Sequence, residues 1–95
     1  MSEKPLMVVA KFIAKPGKAD ELQTVLIRCI EPSRDESGCL HYDLYRSLED
    51  QNTFLFHESW RNQASIDRHG EQPHFKALLA DVAPLLQQMP EIIIN

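Results

Sequence analysis

Glu58 stands in a run, Phe54-Leu55-Phe56-His57-Glu58-Ser59-Trp60, that sets one carboxylate among three aromatic rings. In an extended chain alternate side chains share a face, so Phe54, Phe56, Glu58 and Trp60 fall on one side. Leu55, His57 and Ser59 fall on the other. A carboxyl group held among rings is a candidate base, because burial raises its proton affinity. It can equally be a glutamate paired with an arginine or with backbone groups, the ordinary state of a buried carboxylate. Trp60 suits a wall on which a planar aromatic molecule stacks, or a plain core position. A second segment, His69-Gly70-Glu71-Gln72-Pro73-His74-Phe75, offers two imidazoles, groups that exchange protons near neutral pH. They lie five residues apart with Gly70 and Pro73 between them, so helical spacing does not put them on one face. No third ligand stands at a telling spacing, and no metal site is expected. The alternative has His69 closing a helix end and His74 satisfying backbone groups in the following turn.

Other candidates are weaker. Arg34 and Arg46 could hold an anionic group of a substrate, although solvated or structural ion pairing is the commoner use of such residues. Tyr42 and Tyr45 alternate, so at most one of them reaches any given pocket. His57 lies opposite Trp60, toward a subunit interface, and His41 reads as a surface or interface residue. There is no glycine-rich phosphate loop, Rossmann fingerprint or local Ser-His-Asp signature, which leaves flavin and nicotinamide sites unsupported.

The elements that must position these groups follow from patterning. Leu6, Val8, Ala10, Phe12 and Ala14 form one face of a first strand and Met7, Val9, Lys11 and Ile13 the other. Lys15-Pro16-Gly17-Lys18 ends it. A helix follows with Asp20 and Glu21 in its first turn and a stripe of Leu22, Val25, Leu26, Cys29 and Ile30. Pro32 stops or kinks it near Glu31, and Ser33 to Gly38 is a polar connector with room for one helical turn. Cys39 to Ser47 is the second strand, joined through Glu49-Asp50-Gln51-Asn52 to the third. Asn62 caps a short helix over 63–69, with Gly70 at a left-handed C-terminal position. Pro73 opens the next helix, striped by Phe75, Leu78, Leu79, Val82 and Leu86 and interrupted by Pro84. Glu91 to Ile94 closes the chain as a short strand. The order β-α-β-β-α-α-β predicts an α+β, ferredoxin-like fold: a four-stranded antiparallel sheet with helices on one face, in one domain spanning 1–95.

The totals constrain what such a domain can be. Its 95 residues carry 10 Lys and Arg against 14 Asp and Glu, for a net charge of −4. No basic stripe is present to neutralise phosphates, so neither nucleic acid nor an anionic membrane is an expected partner. Two cysteines, Cys29 and Cys39, do not make a secreted disulfide scaffold, and both are expected reduced. No apolar run approaches the length of a membrane span and no signal segment is apparent, which predicts a cytoplasmic protein. Apolar residues on both faces of one thin sheet predict a homodimer, joined sheet to sheet or through exchanged C-terminal strands.

These features together resemble the antibiotic biosynthesis monooxygenase family. The resemblance rests on Lys15-Pro16-Gly17-Lys18, on Ser33-Arg34 through Gly38-Cys39-Leu40-His41-Tyr42-Asp43-Leu44, on Phe54 through Glu58-Ser59-Trp60, and on His69 with Pro73-His74-Phe75. Ser37 departs from the family's usual proline before Gly-Cys. The resemblance implies a dimeric α+β barrel and a cofactor-independent monooxygenase that oxidises a small aromatic quinol or polyphenol with dioxygen. His69, His74 or Glu58 would be the base, and Trp60, Phe54, Phe56, Phe75 and Arg34 would bind substrate. The haem-degrading branch fits poorly, because its pocket asparagine falls near Ala10. Two other readings stand beside this one: an isomerase of a small carbohydrate-like metabolite, phosphorylated or not, and a non-catalytic module that binds an aromatic metabolite.

Overall fold

The computed structural model describes residues 4–95. Its strands are β1 (Leu6–Ile13), β2 (Cys39–Arg46), β3 (Thr53–Trp60) and β4 (Glu91–Ile94). They form one antiparallel sheet in the order β2-β3-β1-β4. The helices are α1 (Ala19–Arg28), α2 (Ile30–Arg34), α3 (Gln63–Gly70) and α4 (Pro73–Val82), and a 3₁₀ turn over Ala83–Leu85 follows α4. This is the ferredoxin-like α+β arrangement read from the sequence, with one more helix.

The additional helix has a cause. Pro32 has no N–H to offer the carbonyl of Arg28, so the first helix cannot run through it. The chain breaks at Cys29 and starts again as α2, where Ser33 N–H still reaches Cys29 O at 3.2 Å. The turn after β1 is Lys15-Pro16-Gly17-Lys18, closed by Lys18 N–H to Lys15 O at 3.0 Å. Gly17 there holds φ +79°. Gly70 differs from expectation. It lies inside α3 with ordinary helical geometry, and the left-handed cap expected there does not form. Asn62 does cap α3, its side chain accepting from Ser65 N–H at 2.9 Å.

Pairing fixes which side chains share a face. Val8 opposes Glu58, Ala10 opposes Phe56, and Tyr42 opposes Glu58 from the other side. Their common face, with Phe12, Phe54 and Trp60, is covered by Leu22 and Leu26 of α1 and Leu78 and Val82 of α4, all buried. The opposite face carries Met7, Val9, Ile13, Leu55, Tyr45 and Ile93, of which Met7, Tyr45 and Ile93 are exposed. Cys29 and Cys39 are both free thiols. Burial raises both, Cys39 to about 11. Among the described residues no helix is long and apolar enough to cross a membrane.

Candidate functional site

Between the sheet and the helices lies a cavity of about 200 Å³. Its floor is β-sheet: Ala10, Phe56, Glu58 and Trp60 lie at alternate positions of adjacent strands, so period-2 geometry aims them together. His69 from the end of α3 and Phe75 from α4 form the roof, and Ile92 and Ile94 of β4 complete the side. Among the described residues no lysine or arginine lines it.

Glu58 is 4 % exposed. Its Oε1 accepts a hydrogen bond from Trp60 Nε1 at 2.8 Å, two residues along the same strand face. Burial pushes the carboxyl up to about 7; the Trp60 N–H opposes that rise and the negative charge of Glu36 adds to it. Glu58 is therefore partnered by a neutral indole, where an arginine or backbone groups were the alternative expected. Tyr42 closes the neighbouring wall. Its hydroxyl contacts Cys29 Sγ at 3.7 Å, and burial raises the phenol well above its usual range.

His69 is also buried, its ring 4.5 Å from Trp60 and 4.9 Å from Phe75 between centroids. Its Nδ1 lies 2.6 Å from Glu36 Oε2. The same oxygen lies 2.7 Å from His74 Nε2. With Glu36 as carboxylate acceptor, both ring N–H groups donate to it, which places the lone pair of neutral His69 on Nε2. That Nε2 is buried and has no hydrogen-bond partner. Burial lowers the proton affinity of His69, and the bond to Glu36 partly restores it. An imidazole held in one tautomer by a carboxylate, with its free nitrogen in an apolar cavity, can accept a proton from a bound molecule.

Glu36 is the residue that the sequence pattern did not expose. It sits in the connector after α2, held at its far side where Gly38 packs on α3. A Cβ on Gly38 would stand 2.0 Å from Ser65 Oγ. His69 and His74 meet not through a shared helical face but because the chain turns between α3 and α4 and both reach back to Glu36. Neither imidazole serves only as a helix-end cap or a backbone partner, the alternatives considered above.

Two expected substrate contacts lie elsewhere. Phe54 is buried in the core beside Phe12, with the Arg46 guanidinium 4.9 Å from its ring centre, and does not line the cavity. Arg34 is outside the cavity too. Its Nε donates to Tyr42 O at 3.0 Å and its Nη2 to Asp43 Oδ1 at 3.2 Å, so it braces β2. His41 and His57 lie on the opposite sheet face, 2.9 Å apart through His41 Nε2 and His57 Nδ1.

The chain is similar to known proteins over most of its length. The family described as Antibiotic biosynthesis monooxygenase matches residues 5–81. The Synechocystis protein sll1783 is 37% identical over 91 residues, covering 96% of this chain, which spans 62% of that protein's length. The Mycobacterium tuberculosis protein named "Putative monooxygenase Rv0793" is 37% identical over 82 residues, covering 86% of this chain and 80% of its own. The crystal structure of PA3566 from Pseudomonas aeruginosa superposes with a TM-score of 0.94 at 35% identity, over 100% of this chain and 95% of that one.

Proposed function

The chain belongs to the antibiotic biosynthesis monooxygenase family, and from that membership we propose that it oxidises a small, neutral aromatic molecule with dioxygen. The observation that carries this reading is the unpartnered Nε2 of His69 inside an apolar cavity floored by Trp60. The substrate stacks on Trp60 and gives a proton from a phenolic hydroxyl or an activated carbon to His69 Nε2. The resulting anion passes one electron to dioxygen. The two radicals combine at carbon, the base returns its proton to the peroxide, and the O–O bond breaks with loss of water to leave a carbonyl. Glu36 acts as a positioning residue for His69, and Glu58, near half-protonated at neutral pH, steadies the oxygen function of the substrate. General base catalysis of this kind contributes roughly 10²–10⁴ in rate.

An apolar wall without lysine or arginine favours this reading over the phosphorylated-metabolite isomerase, whose substrate would bring a charge with nothing to meet it. The test is oxygen consumption with menadiol or an anthrone under air. Uptake above the enzyme-free control that falls in His69→Ala supports the reading. A ligand-dependent rise in melting temperature without uptake transfers the site to the binding-module reading.

The proposal extends to assembly. Met7, Tyr45 and Ile93 on the sheet face away from the helices are 38%, 55% and 55% exposed, and a second copy would cover them. Light scattering is expected to give twice 10.9 kDa; a monomer at micromolar concentration refutes it.

A further inference from the structure

We propose that Glu36, His69 and His74 form a site for one nitrogen-preferring divalent cation such as Zn²⁺, and that its occupancy controls the cavity-facing nitrogen of His69. The ligand atoms are a Glu36 carboxylate oxygen, His69 Nδ1 and His74 Nε2, all within 4.8 Å of one another. They come from three separate segments: the connector before β2, the last turn of α3 and the first turn of α4. Their side chains are 13%, 7% and 19% exposed, so the three groups converge in a largely water-free place.

Zinc binds imidazole nitrogen and carboxylate oxygen at about 2.0–2.2 Å, which sets ligand atoms around one ion roughly 3–3.5 Å apart. The carboxylate oxygen now stands 2.6 Å and 2.7 Å from the two nitrogens. A withdrawal of the carboxylate by roughly half an ångström, with closure of the two nitrogens from a separation of up to 4.8 Å, admits the ion at these bond lengths. Two imidazoles and one carboxylate leave a fourth position for water, and the nitrogen pair selects against Mg²⁺ and Ca²⁺. The other close imidazole pair, His41 with His57, brings no carboxylate to the same standard: among the described residues only the Glu36 group gathers three such donors.

Occupancy changes the cavity. Without the ion, His69 donates its Nδ1–H to Glu36 and presents a lone pair at Nε2. With the ion, Nδ1 spends its lone pair on the metal, so its proton leaves to solvent and one is taken up at Nε2. The ring's charge is unchanged, but the cavity-facing nitrogen turns from acceptor to donor and can no longer take a substrate proton. This consequence rests on the monooxygenase reading; the site itself does not.

The test uses the whole chain stripped with a chelator. Titration with Zn²⁺ by calorimetry, and with Co²⁺ by visible absorption, is expected to show one ion per chain with the spectrum of a four- or five-coordinate centre. Mg²⁺ should not compete. His74→Ala and Glu36→Gln are each expected to weaken Zn²⁺ by more than the ~10–100-fold seen for losses one shell further out, and His41→Ala should bind as the unaltered chain does. Nitrogen NMR should show His69 Nε2 acquiring its proton on Zn²⁺ addition. Equal affinity in His74→Ala and the unaltered chain, or no binding at micromolar ion, overturns the site. Binding without any menadiol oxidation leaves the site standing and removes the monooxygenase reading.

Discussion

Trp60 Nε1 donates to Glu58 Oε1 at 2.8 Å, a bond between two buried side chains two residues apart on one strand face. The indole N–H donates to this carboxylate and works against the burial that raises it. Trp60→Phe keeps most of the apolar volume and removes the donor. Glu58 is then expected to titrate above about 7, seen as a shifted side-chain carboxyl midpoint by carbon NMR. An unchanged midpoint would mean the indole does not stabilise the charged form.

The same carboxyl makes stability depend on pH. A group protonated more readily folded than unfolded holds extra protons in the native state, so native stability falls as pH rises from about 4.5 to about 7. Above that window the charged, buried carboxylate costs on the order of 3 kcal/mol. Glu58→Gln is expected to recover part of this above pH 7 and little at pH 4, by urea melts at both pH values.

His69 slopes the other way. Its lowered proton affinity means the unfolded chain takes up protons first, so its contribution is present above the unfolded value near 6.5 and is lost as pH falls. His69→Asn should flatten the acid side of the stability curve. Turnover should likewise hold through pH 6.5 and fail below it, once the imidazole is protonated in the folded chain.

Much of this architecture is legible from alternation and punctuation. Phe54 to Trp60 reads as a strand because aromatic residues recur at alternate positions. Pro73 marks a helix start by its fixed backbone and missing N–H, and Asn62 marks one by the side chain that accepts from Ser65 N–H. Glu36 is a different matter. It lies 33 residues before His69 in a connector of Ser, Arg, Asp and Glu without periodicity, and its role arises only when α3 and α4 fold back over it. Phe54 shows the converse limit. Alternation puts it on the same face as Phe56 and Trp60, yet says nothing of how far along the strand the cavity extends.

Filling the cavity separates binding from folding. Ala10 lies on its floor opposite Phe56, and Ala10→Leu adds three carbons into space that is already open. Ligand-induced thermal shifts should vanish while the variant's own melting temperature holds or rises, because the new methyl groups enter a void instead of a packed core.

Gly38 offers a test of how Glu36 is held. An alanine there meets Ser65 at 2.0 Å from its Oγ and 2.4 Å from its Cβ, so either the connector or α3 must yield. Gly38→Ala is expected to cost roughly 1–3 kcal/mol, measured by denaturant melts, and Ser65→Gly in the same chain should restore part of the loss. Ser65→Ala should not, since the Cβ clash remains.

The cavity takes Pro90, Ile92 and Ile94 into its wall only a few residues from Asn95. β4 stands at the sheet edge, paired to β1 over Val8–Lys11, so fraying of that short strand would part the cavity's side wall. Amide exchange at Ile92 and Ile94 that slows when a ligand binds would report this breathing.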